Sequence, residues 1–231
     1  SKILYRSLKN VAGMRMAIRA GSLWLAYTLT KPQAIQDLLP PKLVLARSPL
    51  LEDEAAIVKT PKLLFNAYDV ASPWMRGMRV DVVALTRHVD TDVMHLVVLD
   101  CFTNALRWDP VSGVRRANAY VKQCQPDRAD EFKLLMRSRQ EAFDVVGHLG
   151  AVRDIDWKFS VEANRVCYFG DCPTPFAMEF NETLVAQPVR QLHTSDISNT
   201  LWRSVRSDKP SHAFVHPHAM MFDVDVDSFS I

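Results

Sequence analysis

Two apolar runs and the short segment between them constrain this chain most. Met78 to Thr86 and Met94 to Leu99 are nearly solid hydrophobic stretches, and Asp90-Thr91-Asp92 lies between them. Short, solid apolar runs of this kind read as strands buried on both faces. The Asp-Thr-Asp segment reads as a hairpin turn, because short polar side chains bond their own backbone there. A chain holding such a pair must cover both sides of a sheet.

Further strands follow from the same reasoning. Ser22 to Thr30, SLWLAYTLT, is rich in aromatic and β-branched residues and follows Gly21. Leu63 to Val70 and Leu184 to His193 read the same way. Asp156 to Ser160 and Arg165 to Phe169 read as a hairpin around Glu162-Ala163-Asn164. Phe222 to Ile231 alternates strictly, with Phe222, Val224 and Val226 against Asp223, Asp225 and Asp227, and reads as a terminal strand. Ile197 to Val205 fits a short helix or a strand.

Helical signals are fewer. Pro32 opens PQAIQDLL, and Pro40-Pro41 stops it. The spacing also predicts a helix over Asp127 to Val146. Phe132, Leu135, Met136, Arg139, Phe143 and Val146 fall near one face, with Lys133, Arg137 and Glu141 opposite. Ile3, Leu4, Leu8 and Val11 form one face of an N-terminal helical arm over residues 1–20. That arm is acid-poor, as organelle-targeting peptides are. Packing on the body or on a partner is the preferred reading.

These elements describe one α+β domain over residues 1–231. It is built on a large, curved, mainly antiparallel sheet with few helices, a barrel or cone enclosing a pocket. A chain of 231 residues can bury a sizeable core without staples. Lys plus Arg is 28 and Asp plus Glu is 26, too balanced for a nucleic-acid protein. No apolar run reaches the length of a membrane span. No glycine-rich phosphate loop occurs. Cys101, Cys124, Cys167 and Cys172 have no CxxC spacing and read as free thiols of a reducing, cytoplasmic compartment. The sequon Asn181-Glu182-Thr183 would matter only in a secreted chain.

Metal and nucleophile motifs are weak. His212, His216 and His218 form H-x3-H-x-H, but Pro210 and Pro217 bracket them and disfavour helical spacing. Asp223, Asp225 and Asp227 lack the glycine and glutamate of a calcium loop. Cys101 or Cys124 with His95 has no catalytic spacing, and no nucleophile elbow occurs. We therefore expect no metal and no cofactor. The strip from Trp74 to Tyr120 is richer. It interleaves Trp74, Arg76, Arg79, Arg87, His88, His95, Asp100, Arg107, Trp108, Asp109, Arg115 and Arg116 with apolar strands. A few charges in apolar walls are what a small-molecule pocket needs.

At these residues the chain resembles the acetoacetate decarboxylase superfamily. The likeness begins at Leu23-Trp24-Leu25-Ala26-Tyr27-Thr28. It continues through Ala34-Ile35-Gln36-Asp37-Leu38-Leu39-Pro40-Pro41-Lys42-Leu43, close to the family's short helix and "LLPPGL"-like turn. Met94 to Asp100, MHLVVLD, resembles the apolar strand before the active-site segment. Val111-Ser112-Gly113-Val114-Arg115-Arg116 then stands where the family carries a lysine pair. The resemblance covers residues 20 to 120. It implies the fold, a pocket and a homo-oligomer.

It also implies a departure in chemistry. One lysine of the family's pair forms a Schiff base with a keto acid, as a neutral amine. Arginine stays protonated and forms no such imine. The family's pocket acid is expected near Trp74 to Arg79, where the sequence reads Trp-Met-Arg-Gly-Met-Arg, without a carboxylate.

The resulting expectation is a divergent member acting on a keto or enolisable carbonyl compound without a Schiff base, as a cyclase, dehydratase, isomerase or lyase. One of Arg115 and Arg116, which as strand neighbours face opposite sides, would hold a carboxylate or stabilise an enolate. His88, His95 or Asp100 would move protons. Tyr27, Trp74, Arg76, Arg79 and Trp108 would bind substrate. The alternative is a non-catalytic binding protein for an apolar acid or ketone.

Overall fold

A computed structural model describes residues 14–47, 60–71, 76–104, 115–116, 119–124, 131–137, 142–151, 153–154, 167–169, 177–180, 185–194 and 202–225. The elements run β1 (Met14–Ile18), β2 (Ser22–Thr28), α1 (Pro32–Gln36), β3 (Leu43–Leu45), β4 (Lys62–Ala71), β5 (Arg76–His88), β6 (Met94–Thr103), β7 (Arg115–Arg116) and β8 (Ala119–Cys124). The second half runs β9 (Glu131–Arg137), β10 (Ala142–Leu149), β11 (Arg153–Asp154), β12 (Cys167–Phe169), β13 (Ala177–Phe180), β14 (Val185–Thr194), β15 (His212–His216) and β16 (Met220–Asp225).

Among the described residues all the strands belong to one sheet, whose main path is β12-β6-β5-β4-β2-β15-β14-β10-β9-β8. Pairing there is antiparallel except where β12 and β7 run parallel to β6. The central hairpin is as expected. Residues 78 to 86 of β5 are all buried, so both faces of that strand are covered. At its turn Asp92 takes φ 59° and donates its N–H to His88 O.

The sheet curls over on itself. Phe65 on β4 and Phe143 on β10 are four strand positions apart along the path. On a flat sheet that is roughly 19 Å, at about 4.8 Å per strand. Their rings instead stack at 6.1 Å between centroids. The core lies inside this curl. Leu23, Leu25 and Tyr27 of β2, Leu63 and Phe65 of β4, and Val80 and Val82 of β5 meet Phe132, Leu134, Met136, Phe143 and Val145.

α1 forms as expected, with Pro32 opening it and Ile35 buried. The Gln36 amide donates to Leu43 O at 2.8 Å and accepts from the Leu45 N–H at 3.0 Å, which fixes β3. Lys42 ends the double-proline turn at φ 68°, a left-handed conformation that favours glycine.

Two expectations need revision. The helix over Asp127 to Val146 is a β-hairpin, β9 with β10, paired from Arg137↔Ala142 to Glu131↔His148. Phe132, Leu134 and Met136 are wholly buried while Glu131 and Arg137 are exposed, a period of two. Gly147 sits where the β10–β14 register shifts, and a Cβ there would run into Val189 Cγ1. Met14–Ile18, placed in the helical arm, is a strand paired with β16; residues 1–13 lie outside the described residues. β12, which holds Phe169, runs parallel to β6; the other half of the expected hairpin, 156–160, lies outside the described residues. Of Ile197 to Val205, the described end is a turn. No described helix is long and apolar enough to cross a membrane.

Candidate functional site

The face of β4, β5 and β6 that turns away from the main core carries a buried polar cluster. Register places Tyr68 opposite Arg79, Arg79 opposite Thr103, and Asp81 opposite Cys101. Arg79 is 2% exposed, Asp81 4% and Cys101 0%. Arg79 Nε donates to Asp81 Oδ1 at 2.8 Å, and Tyr68 Oη donates to Asp81 Oδ2 at 2.7 Å. Thr103 Oγ1 donates to Met78 O at 2.7 Å. Burial pushes the Tyr68 phenol well above its usual range, against the lowering effect of Arg79, so it remains a donor. An ion pair this dry persists only because its hydrogen bonds are made.

β7 lies beside this cluster. Arg115 pairs in register with Phe102, and Arg116 with Thr103. Arg116 thus extends the row Thr103–Arg79–Tyr68, and Arg115 takes the register of the core residue Phe102. Arg76 is exposed at the start of β5. Trp74 and Trp108 lie outside the described residues.

The expected histidines sit elsewhere. His95 is seven residues from Phe102 on β6, roughly 23 Å along the strand. It is buried opposite Thr86, its ring edge-on to His88 at 6.1 Å. Burial, helped by His88, pushes the His95 imidazole down to about 4. It is therefore neutral near pH 7, not poised between acid and base. His88 Nδ1 accepts the Asp90 N–H at 3.2 Å.

Asp100 and Tyr27 face the core side, each against a residue that sequence reasoning missed. Asp100 Oδ2 accepts from Trp202 Nε1 at 2.7 Å, and Oδ1 accepts the Cys101 N–H at 2.8 Å. The register shifts here: Val82 pairs with Asp100 but Val83 with Val98, so Leu99 bulges. Trp202 takes φ 56°, rare for a bulky aromatic. The Arg206 guanidinium lies 4.1 Å from the Tyr27 ring centroid. Burial pushes the Tyr27 phenol up to about 12, partly offset by Arg206.

Asp81, Tyr68, Trp202 and Arg206 were the missed residues. For Asp81 a signal existed. Arg79 and Asp81 are opposite charges two apart in an apolar run, hence on one strand face. The other contacts join residues far apart in sequence, and no local pattern announces them. Among the described residues no three His, Cys, Asp or Glu side chains are grouped to hold a metal. His216 Nδ1 donates to His218 O at 3.0 Å, and His212 Nδ1 meets Ser211 Oγ at 3.0 Å. Cys101 is buried and forms no disulfide with a described residue.

No family model and no curated protein matches the chain in sequence. Solved structures do match in shape. An acetoacetate decarboxylase from Legionella pneumophila superposes with a TM-score of 0.57 at 10% identity, over 94% of this chain and 88% of that one. The enduracididine biosynthesis enzyme MppR gives 0.58 at 8% identity, over 93% and 86%. An acetoacetate decarboxylase-like enzyme from Sphingomonas wittichii RW1 gives 0.52 at 8% identity, over 92% of each chain. With its curled, mainly antiparallel sheet, the chain has the fold of the acetoacetate decarboxylase-like enzymes.

Proposed function

We propose that the chain acts on a small keto acid or other enolisable carbonyl compound without forming a Schiff base. The observation that carries this reading is the register of β7. It sets Arg116, which the sequence resemblance aligns with a lysine pair, in register with Thr103 of the row Thr103–Arg79–Tyr68. An arginine there supplies a fixed positive charge for a carboxylate or for the oxygen of an enolate. Arg79, held by Asp81, positions charge behind it, and Tyr68 supplies a phenol that stays protonated. One structure of MppR holds the condensation product of pyruvate and imidazole 4-carboxaldehyde, so pyruvate is a sensible first probe.

A binding-only reading has one observation in its favour. The expected proton carriers are committed elsewhere: Asp100 to Trp202 and the Cys101 N–H, and His95 to its neutral form. Deuterium exchange separates the two. Pyruvate or phenylpyruvate in D2O is followed by proton NMR, with wild type and Arg116→Ala. Enolisation predicts exchange at C3 above the buffer rate, reduced at least tenfold in the variant. Line broadening that Arg116→Ala removes, without exchange, would leave a binding protein. No difference between the proteins would remove Arg116 from the site.

A further inference from the structure

We propose a second binding site, for a small organic monoanion with a flat apolar body, on the outer face of β9, β10 and β14. A groove of about 360 Å³ opens there, lined by Lys133, Leu135, Arg137, Asp144, Val146 and His193, among others. That volume lies in the range of small-ligand sites. The hairpin's even residues on β9 fill the core, and its odd residues build the groove. Lys133, Val146 and His193 lie in one register row across three strands. Lys133 and His193 therefore flank Val146, roughly 10 Å apart at about 4.8 Å per strand. Leu135 continues the apolar floor beside Asp144.

The charges favour one anion. Asp144 is 4% exposed, and its Oδ2 accepts from Arg137 Nε at 3.1 Å and from Nη2 at 2.6 Å. That pair neutralises itself and fixes the guanidinium, whose side chain is 58% exposed. Lys133 and Arg137 Nη1 have no hydrogen-bond or ion-pair partner among the described residues. Among the described lining residues Lys133 adds a positive charge to this pair, over an apolar floor. A carboxylate at Lys133, with a ring across Val146 and Leu135, answers both features. The site is independent of the function proposed above.

The test is calorimetry with 2-naphthoate, with amide NMR to locate it. Saturable binding is expected, with shifts at residues 131–137, 144–148 and 190–194. Lys133→Gln should weaken it about fivefold to tenfold, and Val146→Asp, confirmed folded by circular dichroism, should abolish it. Neutral 2-naphthalenemethanol should bind at least fivefold more weakly. Unchanged affinity in both variants, shifts centred on β5 to β7, or no saturation would overturn the proposal. Shift changes in this face that depend on protein concentration alone would also do so, because a second copy would then own the surface.

Discussion

Replacing Arg79 by Met should be among the most costly single changes in the molecule. The substitution keeps most of the aliphatic volume but removes the guanidinium from a site only 2% exposed. Asp81 would keep the Tyr68 hydroxyl at 2.7 Å and lose the Arg79 Nε at 2.8 Å. Breaking a buried ion pair from one side costs about 3–5 kcal/mol, because the remaining charge is stranded in a dry setting. That is about a fifth or more of the stability of a typical domain. The stranded carboxyl would hold its proton to higher pH than in the unfolded chain. A carboxyl pKa raised on folding favours the folded state below the unfolded value, and that favour is lost as pH rises. The deficit of the variant against wild type should therefore shrink as pH falls towards 4. The triple change Arg79→Met, Asp81→Leu, Tyr68→Phe removes these three hydrogen-bonded groups together and should recover most of the loss. Urea unfolding at pH 7.5 and pH 5, with unchanged m-values, measures all of this. A cost below about 1 kcal/mol for Arg79→Met at pH 7.5 would refute the reasoning, since it would mean that Asp81 is neither dry nor dependent on its partner.

Two further outcomes follow from the core side of the sheet. Trp202→Phe removes the indole N–H that Asp100 accepts and should cost about 1.5–3 kcal/mol; a double-mutant cycle with Asp100→Asn should show coupling above about 1 kcal/mol, and additivity would contradict the contact. His95 has a folded pKa of about 4 against an ordinary 6.5, so its contribution is full above 6.5 and is lost as pH falls between those values. The loss should not exceed about 3 kcal/mol, and His95→Gln should flatten the stability curve between pH 6.5 and 4; an equally steep curve in the variant would clear His95 of the effect.

The elements legible from the sequence were those whose local pattern admits one answer. The solid runs of β5 and β6, the proline-opened α1 and the alternation of β16 belong to this group. The β9–β10 hairpin was not legible, because Leu134 and Leu135 are adjacent. Phe132, Leu135 and Met136 satisfy a helical face, whereas Phe132, Leu134 and Met136 satisfy a strand face. What decides is contact across the curl, with Phe143 on Phe65, and no window of the sequence contains both. The site divides in the same way. Arg79 was visible as a charge in an apolar strand, and Asp81 two residues on should have been taken with it. Trp202 and Arg206 reach Asp100 and Tyr27 from the far end of the chain, so only the fold reveals them.

The proposed function turns on whether any lysine does the work that Arg115 and Arg116 cannot. Lys122 is the nearest in sequence, and on β8 it pairs in register with Leu134, a core residue of β9. It lies six residues beyond Arg116, on a different strand. The decisive measurement is incubation with pyruvate and with acetoacetate, borohydride reduction, and peptide mapping by mass spectrometry, with carbon dioxide release followed in parallel. The account expects no reduced adduct on any lysine and carbon dioxide release equal to the blank. A stoichiometric adduct on Lys122, or on another lysine of the chain, would show that the chain is a Schiff-base enzyme and would contradict the account.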